Sequence, residues 1–244
     1  IHNGRESNLI RVILCKKTGR PWSDNRKILN GVLWISRTGA PWRALPEYYG
    51  PWQTVYKCFS QWQKNEKLKI SVTIRICRGY ASTKPISKRI EPVQVIKRAT
   101  GDDYHQNIGI SWGGRTIKIH GVVDGLGYPL VLELSDGQVH DEIMLQKCLK
   151  QLGISGSTVL ADKAYGLWEN RAYIAAHDAD FCISPKINAV DPRYCDYPHY
   201  KERHFVECFF MRIKDCRRIA MRFEKIACRY LASLHLAAAL RCLA

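Results

Sequence analysis

Residues 200–214, reading YKERHFVECFFMRIK, constrain this chain more than any other stretch, because they carry two incompatible surfaces on one predicted helix. At roughly 100° per residue, Tyr200, Arg203, Glu207 and Lys214 fall within an arc of about 60°. Phe205, Val206, Phe209 and Ile213 lie on the other side. Such a helix must bury one face in a core and leave the other wet. The pattern describes a solvated charged face as well as it describes an active site, so the meaning of the polar stripe depends on what else the chain supplies.

A chain of 244 residues can bury a good core, either as one elaborate domain or as a small domain joined to a larger one. Its 38 Lys and Arg against 22 Asp and Glu give a net charge of +16, which draws polyanions and makes nucleic acid the leading partner over a membrane surface. No uninterrupted apolar run approaches the ~20 residues that span a bilayer, and no secretory leader is read, so a soluble cytoplasmic chain is expected. Ile1 in place of Met suggests a truncated or processed start. Of the ten Cys, no pair has the Cys-x2-Cys spacing of a zinc site, and most are expected to be reduced and buried. Cys228 and Cys242 sit in an Ala- and Leu-rich run, where Cys acts as a small apolar residue.

Along the chain, Ser23 or Asp24 can cap a helix carrying Ile28, Leu29, Val32, Leu33 and Ile35. Gly39, Pro41 and Pro46 interrupt it before a second helix from about 53 to 63. Five of the seven Trp lie here (Trp22, Trp34, Trp42, Trp52 and Trp62), reading first as the core of a small helical domain. Between them, Arg37, Arg43 and Lys57 are candidate contacts to DNA phosphate. This assigns residues 1–63 to a helical, helix-turn-helix-like DNA-binding region. Residues 63–98 then carry ten Lys or Arg against only Glu66 and Glu91, with no sustained period. They read as a basic irregular linker or as a stretch translated in a shifted frame, placed at 64–98.

From Arg115 the pattern is regular. Runs 117–123 and 129–134, separated by Asp124-Gly125-Leu126-Gly127, predict a hairpin. A helix at 141–151, a short buried strand at 158–161, a helix near 169–177 and a strand at 181–184 follow. The alternation predicts an α/β domain, a mixed sheet flanked by helices, over 99–244. The last stretch, 217–244, reads as helical and is basic at its start. Asp162 then stands at the end of a strand and Glu207 on the amphipathic helix, so two carboxylates can converge at a sheet edge. Oxygen ligands of this type suit Mg²⁺ and phosphoryl transfer. A second grouping, His120, Asp124, His140 and Asp141, lacks a recognised zinc spacing, and turn chemistry alone accounts for Asp124.

The signature Tyr200-x2-Arg203-x3-Glu207-x6-Lys214, preceded by Asp162-Lys163-Ala164-Tyr165, resembles the DDE transposases of bacterial insertion sequences. Residues 31–34 with 37–43, Leu45-Pro46, Trp52-x2-Val55-Tyr56, Lys118-Ile119-His120 and Arg217-Arg218-Ile219-Ala220 with Arg222 are similar to the same family. The resemblance implies an RNase H-like catalytic domain behind the small helical domain, acting on double-stranded DNA. It would nick transposon terminal inverted repeats and join the freed 3′-hydroxyl to target DNA, as a homo-oligomer using Mg²⁺ or Mn²⁺, in a bacterial cytoplasm and on the nucleoid when bound. It implies Asp162 and Glu207 as metal-holding catalytic acids and Tyr200, Arg203 and Lys214 as supporting residues. Arg217, Arg218 and Arg222 join the candidate DNA contacts. One departure stands out. The family's first acid belongs to an Asp-Ser-Thr motif, and at Ser82-Thr83 the Asp position holds Ala81; Glu91, Asp102 and Asp103 are substitutes in principle. A degenerate, catalytically inactive DNA-binding copy is therefore the alternative expectation.

Overall fold

The computed structural model describes residues 24–66, 68–69, 83–85, 107–111, 114–185 and 195–243. The chain divides into two compact units, one gathering residues 1–78, 93–106 and 213–244, the other 79–92 and 107–212.

In the first unit, α1 (Asn25–Thr38) starts where the Asp24 carboxylate accepts the Arg26 N–H at 3.0 Å. It buries Ile28, Leu29, Val32 and Ile35 at helical spacing. Gly39 ends it with φ of 70°, a left-handed conformation that a residue with a Cβ adopts only at a cost. Short 3-10 turns at Trp42–Ala44 and Glu47–Tyr49 lead to α2 (Trp52–Lys64), whose buried residues are Val55, Cys58, Phe59 and Trp62. Trp62 is buried, while Trp34, Trp42 and Trp52 are half-buried, with Trp42 edge-on to Tyr56 and tilted against Phe59. The C-terminal segment, read from the sequence as the end of the 99–244 domain, packs among these helices: α7 (Arg217–Ala220) lies against α1, and α8 (Ala227–Leu243) against α2 and α7.

Arg218 ties this unit together. Its guanidinium pairs with Glu224 at 3.0 Å, donates to the Ala40 carbonyl at 2.7 Å and lies 5.2 Å from the Trp42 ring centre. Trp42 Nε1 also donates to Glu224 at 3.4 Å.

The second unit is mixed α/β. Strand β3 (Gly114–Asp124) is its hub, pairing antiparallel with β1 (Thr83–Pro85), β2 (Gly109–Ser111) and β4 (Pro129–Asp136). The predicted hairpin is β3–β4. Its turn is held by Asp124, whose carboxylate accepts the N–H groups of Leu126 and Tyr128, both at 2.9 Å. Strand β5 (Thr158–Ala161) lies against β1 and pairs in parallel with β6 (Asp180–Ile183). Helices α3 (Asp141–Leu149) and α4 (Trp168–Ala176) cover it, giving a core of Leu145, Leu149, Ile154, Val159, Ala161, Tyr165 and Ile174.

The amphipathic stretch is not one uniform helix. It runs as α5 (Tyr197–Tyr200), a 3-10 turn (Lys201–Arg203) and α6 (His204–Ile213). Val206, Phe209, Phe210 and Ile213 are buried. Gly121 of β3 admits the Phe210 ring: a Cβ there would stand 2.9 Å from Phe210 Cζ. The absence of a side chain on β3 thus sets how closely α6 can approach the sheet.

Cys58, Cys148, Cys182, Cys195, Cys208, Cys216 and Cys228 are free. Five are buried and Cys208 is half-buried, but Cys228 is exposed, because it falls on the outer face of the first turn of α8.

Candidate active site

The apolar run at 158–161 becomes β5 with Val159, Leu160 and Ala161 fully buried, and the chain emerges from the sheet at Asp162. Asp162 is half-buried, and its carboxylate accepts the Lys163 N–H at 2.7 Å, capping the 3-10 turn Lys163–Tyr165. That turn plants Tyr165 in the core, where burial first, then the Asp141 carboxylate, pushes its phenol well above the ordinary range.

Tyr200 joins the two ends of the site. Its phenol is raised above its ordinary value by burial and then by the Asp162 carboxylate, with Arg203 acting in the opposite sense. The Arg203 guanidinium lies 5.7 Å from the Tyr200 ring centre, and its Nη1 is 3.0 Å from Glu207 Oε1. The 3-10 turn Lys201–Arg203 also lies against β5. Tyr200, Arg203 and Glu207 are therefore linked side chain to side chain, and the Asp162 carboxylate raises the Tyr200 phenol from the end of β5. The Arg203 and Glu207 side chains keep 26% and 31% of their surface, so both can still meet a ligand. Lys214 is exposed just past α6, where the chain passes into the first unit.

The candidate DNA contacts divide by burial. Arg37, Arg43, Lys57 and Arg217 are exposed. Arg218 and Arg222 are buried, at 5% and 9% exposure, so the expectation that they meet DNA does not fit their placement. Arg218 is held as described above. Arg222 donates to the backbone oxygens of Glu224 (3.0 Å) and Lys225 (3.2 Å) and lies over the Tyr230 ring. A guanidinium so enclosed offers almost nothing to a phosphate.

His120, Asp124, His140 and Asp141 do not form a metal cluster: among the described residues no group of three or more His, Cys, Asp or Glu could hold an ion. His120 is buried against Ser135 Oγ at 2.7 Å, Asp124 serves its turn, and Asp141 pairs with Lys118 at 2.8 Å. Asp162 and Glu207 match a hard divalent cation in donor chemistry, since both offer carboxylate oxygens. Ala81, Glu91, Asp102 and Asp103 lie outside the described residues.

Comparison with known proteins decides the family. A family described as "Transposase DDE domain" matches residues 98–242. The chain belongs to the DDE transposases. A second family, "Putative transposase of IS4/5 family", matches residues 7–70, so the two matched regions leave 71–97 between them. A relative from Brucella ovis, "Putative transposase for insertion sequence element IS6501", is 38% identical over 128 residues, covering 51% of this chain and 96% of its own length. No solved structure matches. The protein is thus an insertion-sequence transposase of the IS4/5 type, a family whose substrate is DNA. Among the described residues no helix of this transposase is long and apolar enough to cross a membrane.

Proposed function

We propose that this transposase cleaves the terminal inverted repeats of its element and joins the freed 3′-hydroxyl to target DNA, with Asp162 and Glu207 as two acids of an RNase H-like site. The observation that carries the reading is the linked set Tyr200–Arg203–Glu207, whose Tyr200 phenol is raised by the Asp162 carboxylate, in a chain of the DDE family. The strand arrangement supports it: β1 is antiparallel to β3 and lies against β5, which pairs in parallel with β6.

Asp162 and Glu207 would hold Mg²⁺ or Mn²⁺, which supplies Lewis-acid stabilisation of charge at the scissile phosphate. The rest of the chemistry belongs to the chain. Arg203 fixes the Glu207 carboxylate while the site is empty of DNA and offers its outer N–H groups to a phosphate when DNA arrives. Tyr200, its phenol kept protonated, donates a hydrogen bond at the mouth of the site. Lys214 is exposed and adds a point charge for the backbone. Arg37, Arg43, Lys57 and Arg217 bind double-stranded DNA by neutralising phosphate, the helical unit acting as the anchor. Two element ends are brought together by a homo-oligomer in the bacterial cytoplasm, on the nucleoid when bound.

The test is a cleavage and strand-transfer assay with the purified full chain, linear DNA bearing the element's own ends, and Mg²⁺ or Mn²⁺. Nicked ends and joined products are expected from the parent and none from Glu207→Ala. Products that persist in Glu207→Ala overturn the site. A parent that binds the ends but yields no product with either metal overturns the catalytic reading and leaves DNA binding.

A further inference from the structure

Two thiols meet beside the candidate site. Cys182 on β6 and Cys195, the residue before the Asp196 cap of α5, bring their Sγ atoms to 3.6 Å, and both side chains are buried. Cys182 Sγ also donates to the Asp196 backbone oxygen at 3.5 Å. Both sulfurs are near enough to act on the Tyr200 phenol, behind the larger effects of burial, Asp162 and Arg203. A disulfide needs its sulfurs at about 2.05 Å, so closure asks for an approach of roughly 1.5 Å. Rotation about two Cα–Cβ bonds with a small backbone shift can supply that. Among the described residues β6 pairs only with β5.

We propose that Cys182 and Cys195 form a reversible disulfide that fastens the start of the segment bearing Tyr200, Arg203 and Glu207 to the strand paired with β5, from which Asp162 emerges. The oxidant is a small-molecule disulfide. One cysteine thiolate attacks it, forming a mixed disulfide and releasing one small thiolate. The second cysteine attacks the protein sulfur of that intermediate and releases the other. Two protein thiols are oxidised, one external disulfide is reduced to two thiols, and the two protein protons end on them. Burial, then the contact with Cys195, raises the Cys182 thiol above its ordinary value, which keeps the thiolate scarce and makes closure slow. The bond would join residues 13 apart, on β6 and before the cap of α5, and so restrict the unfolded chain by closing a loop. The inference rests on this geometry and is independent of the DNA-cleaving reading.

The experiment uses the full chain carrying Cys228→Ser, which removes the exposed thiol. The protein is incubated with oxidised glutathione, quenched with a maleimide and digested without reductant. The expected product is a peptide pair joined through Cys182 and Cys195, 2 Da lighter than the two reduced peptides together, dominant in the digest and reversed by dithiothreitol. The melting temperature rises by several degrees on oxidation, and Cys195→Ser or Cys182→Ala abolishes the rise. Recovery of both thiols as maleimide adducts after prolonged oxidation, glutathione retained on either, or a dominant link elsewhere overturns the proposal. The peptide map of the parent decides the matter even where a variant fails to fold.

Discussion

Two Arg–Glu pairs, one in each unit, share the same 3.0 Å contact and serve different ends. Arg218–Glu224 retains 6% and 8% of its side-chain surface, and its members are further engaged by Ala40 and Trp42. Arg203–Glu207 retains 26% and 31% and lies at i, i+4 on a helical segment. A buried pair has already lost its water, so removing one partner strands a charge; a half-exposed pair can exchange its partner for solvent or a ligand at little cost. The first pair is therefore read as structural and the second as available for chemistry. Burial separates them where residue type and distance do not.

The largest effect that tests this contrast is on folding. Arg218→Met leaves Glu224 facing Trp42 without its cation and should destabilise the protein by about 3–5 kcal/mol. Denaturant melts of purified parent and variant measure it. A loss under ~1 kcal/mol, the range of exposed pairs, would mean that the clasp is not structural. The matching change in the other unit, Glu207→Gln, should leave the melt within ~1 kcal/mol of the parent while reducing strand transfer by roughly 10²–10³-fold, the scale for losing one electrostatic stabiliser. If the two variants behave alike, burial is not what separates the pairs.

How far this contrast could be read from the sequence differs by element. The hairpin β3–β4, the strand β5 ending at Asp162 and the buried face of α6 all follow from local period, because each buries one set of side chains at a spacing the sequence displays. The connected polar face was legible in the same way, since Tyr200, Arg203 and Glu207 are three and four residues apart. The 3-10 turn at Lys201–Arg203 was not, because Lys, Glu and Arg all favour the α-helix and tertiary packing overrides that preference. Nor was the inward turn of Arg218 and Arg222. An arginine in a basic run looks the same whether it meets phosphate or a glutamate six residues away, and the Ala40 and Trp42 partners are remote in sequence. The Cys182–Cys195 contact spans a separation that carries no periodic signal.

A smaller effect concerns the α/β unit alone. His120 is buried on β3 against Ser135, and its imidazole is lowered to about 4. Burial is the main cause, reinforced by Lys118 and Lys147 and opposed by Asp141 and Glu133. Because the folded value lies below the unfolded one near 6.5, the unfolded chain takes up a proton first as pH falls. Stability should be lost between about 6.5 and about 4, by up to ~3 kcal/mol. His120→Gln, which can keep a hydrogen bond to Ser135, should flatten this part of the acid limb while Arg218→Met should not. Melts at pH 7 and pH 4.5 distinguish them, and an unchanged slope in His120→Gln would assign the acid loss elsewhere.

The smallest effect sharpens the division among the basic residues of the helical unit. Arg43 is exposed with its guanidinium 5.9 Å from the Trp52 ring centre, and Lys57 is exposed on α2, whereas Arg218 is enclosed. Each cation that neutralises one phosphate adds about 0.9 to the slope of log affinity against log salt. Arg43→Ala and Lys57→Ala should therefore each lower that slope by about 1 in titrations of linear duplex DNA, with stability nearly unchanged. Arg218→Met, assayed under conditions where it remains folded, should leave the slope as it is, because its charge is already neutralised by Glu224 and shielded from the counterion atmosphere. Equal slope changes at all three positions would show that an internal ion pair still contributes to the field that DNA feels, and burial would then be a guide to folding but not to polyanion binding.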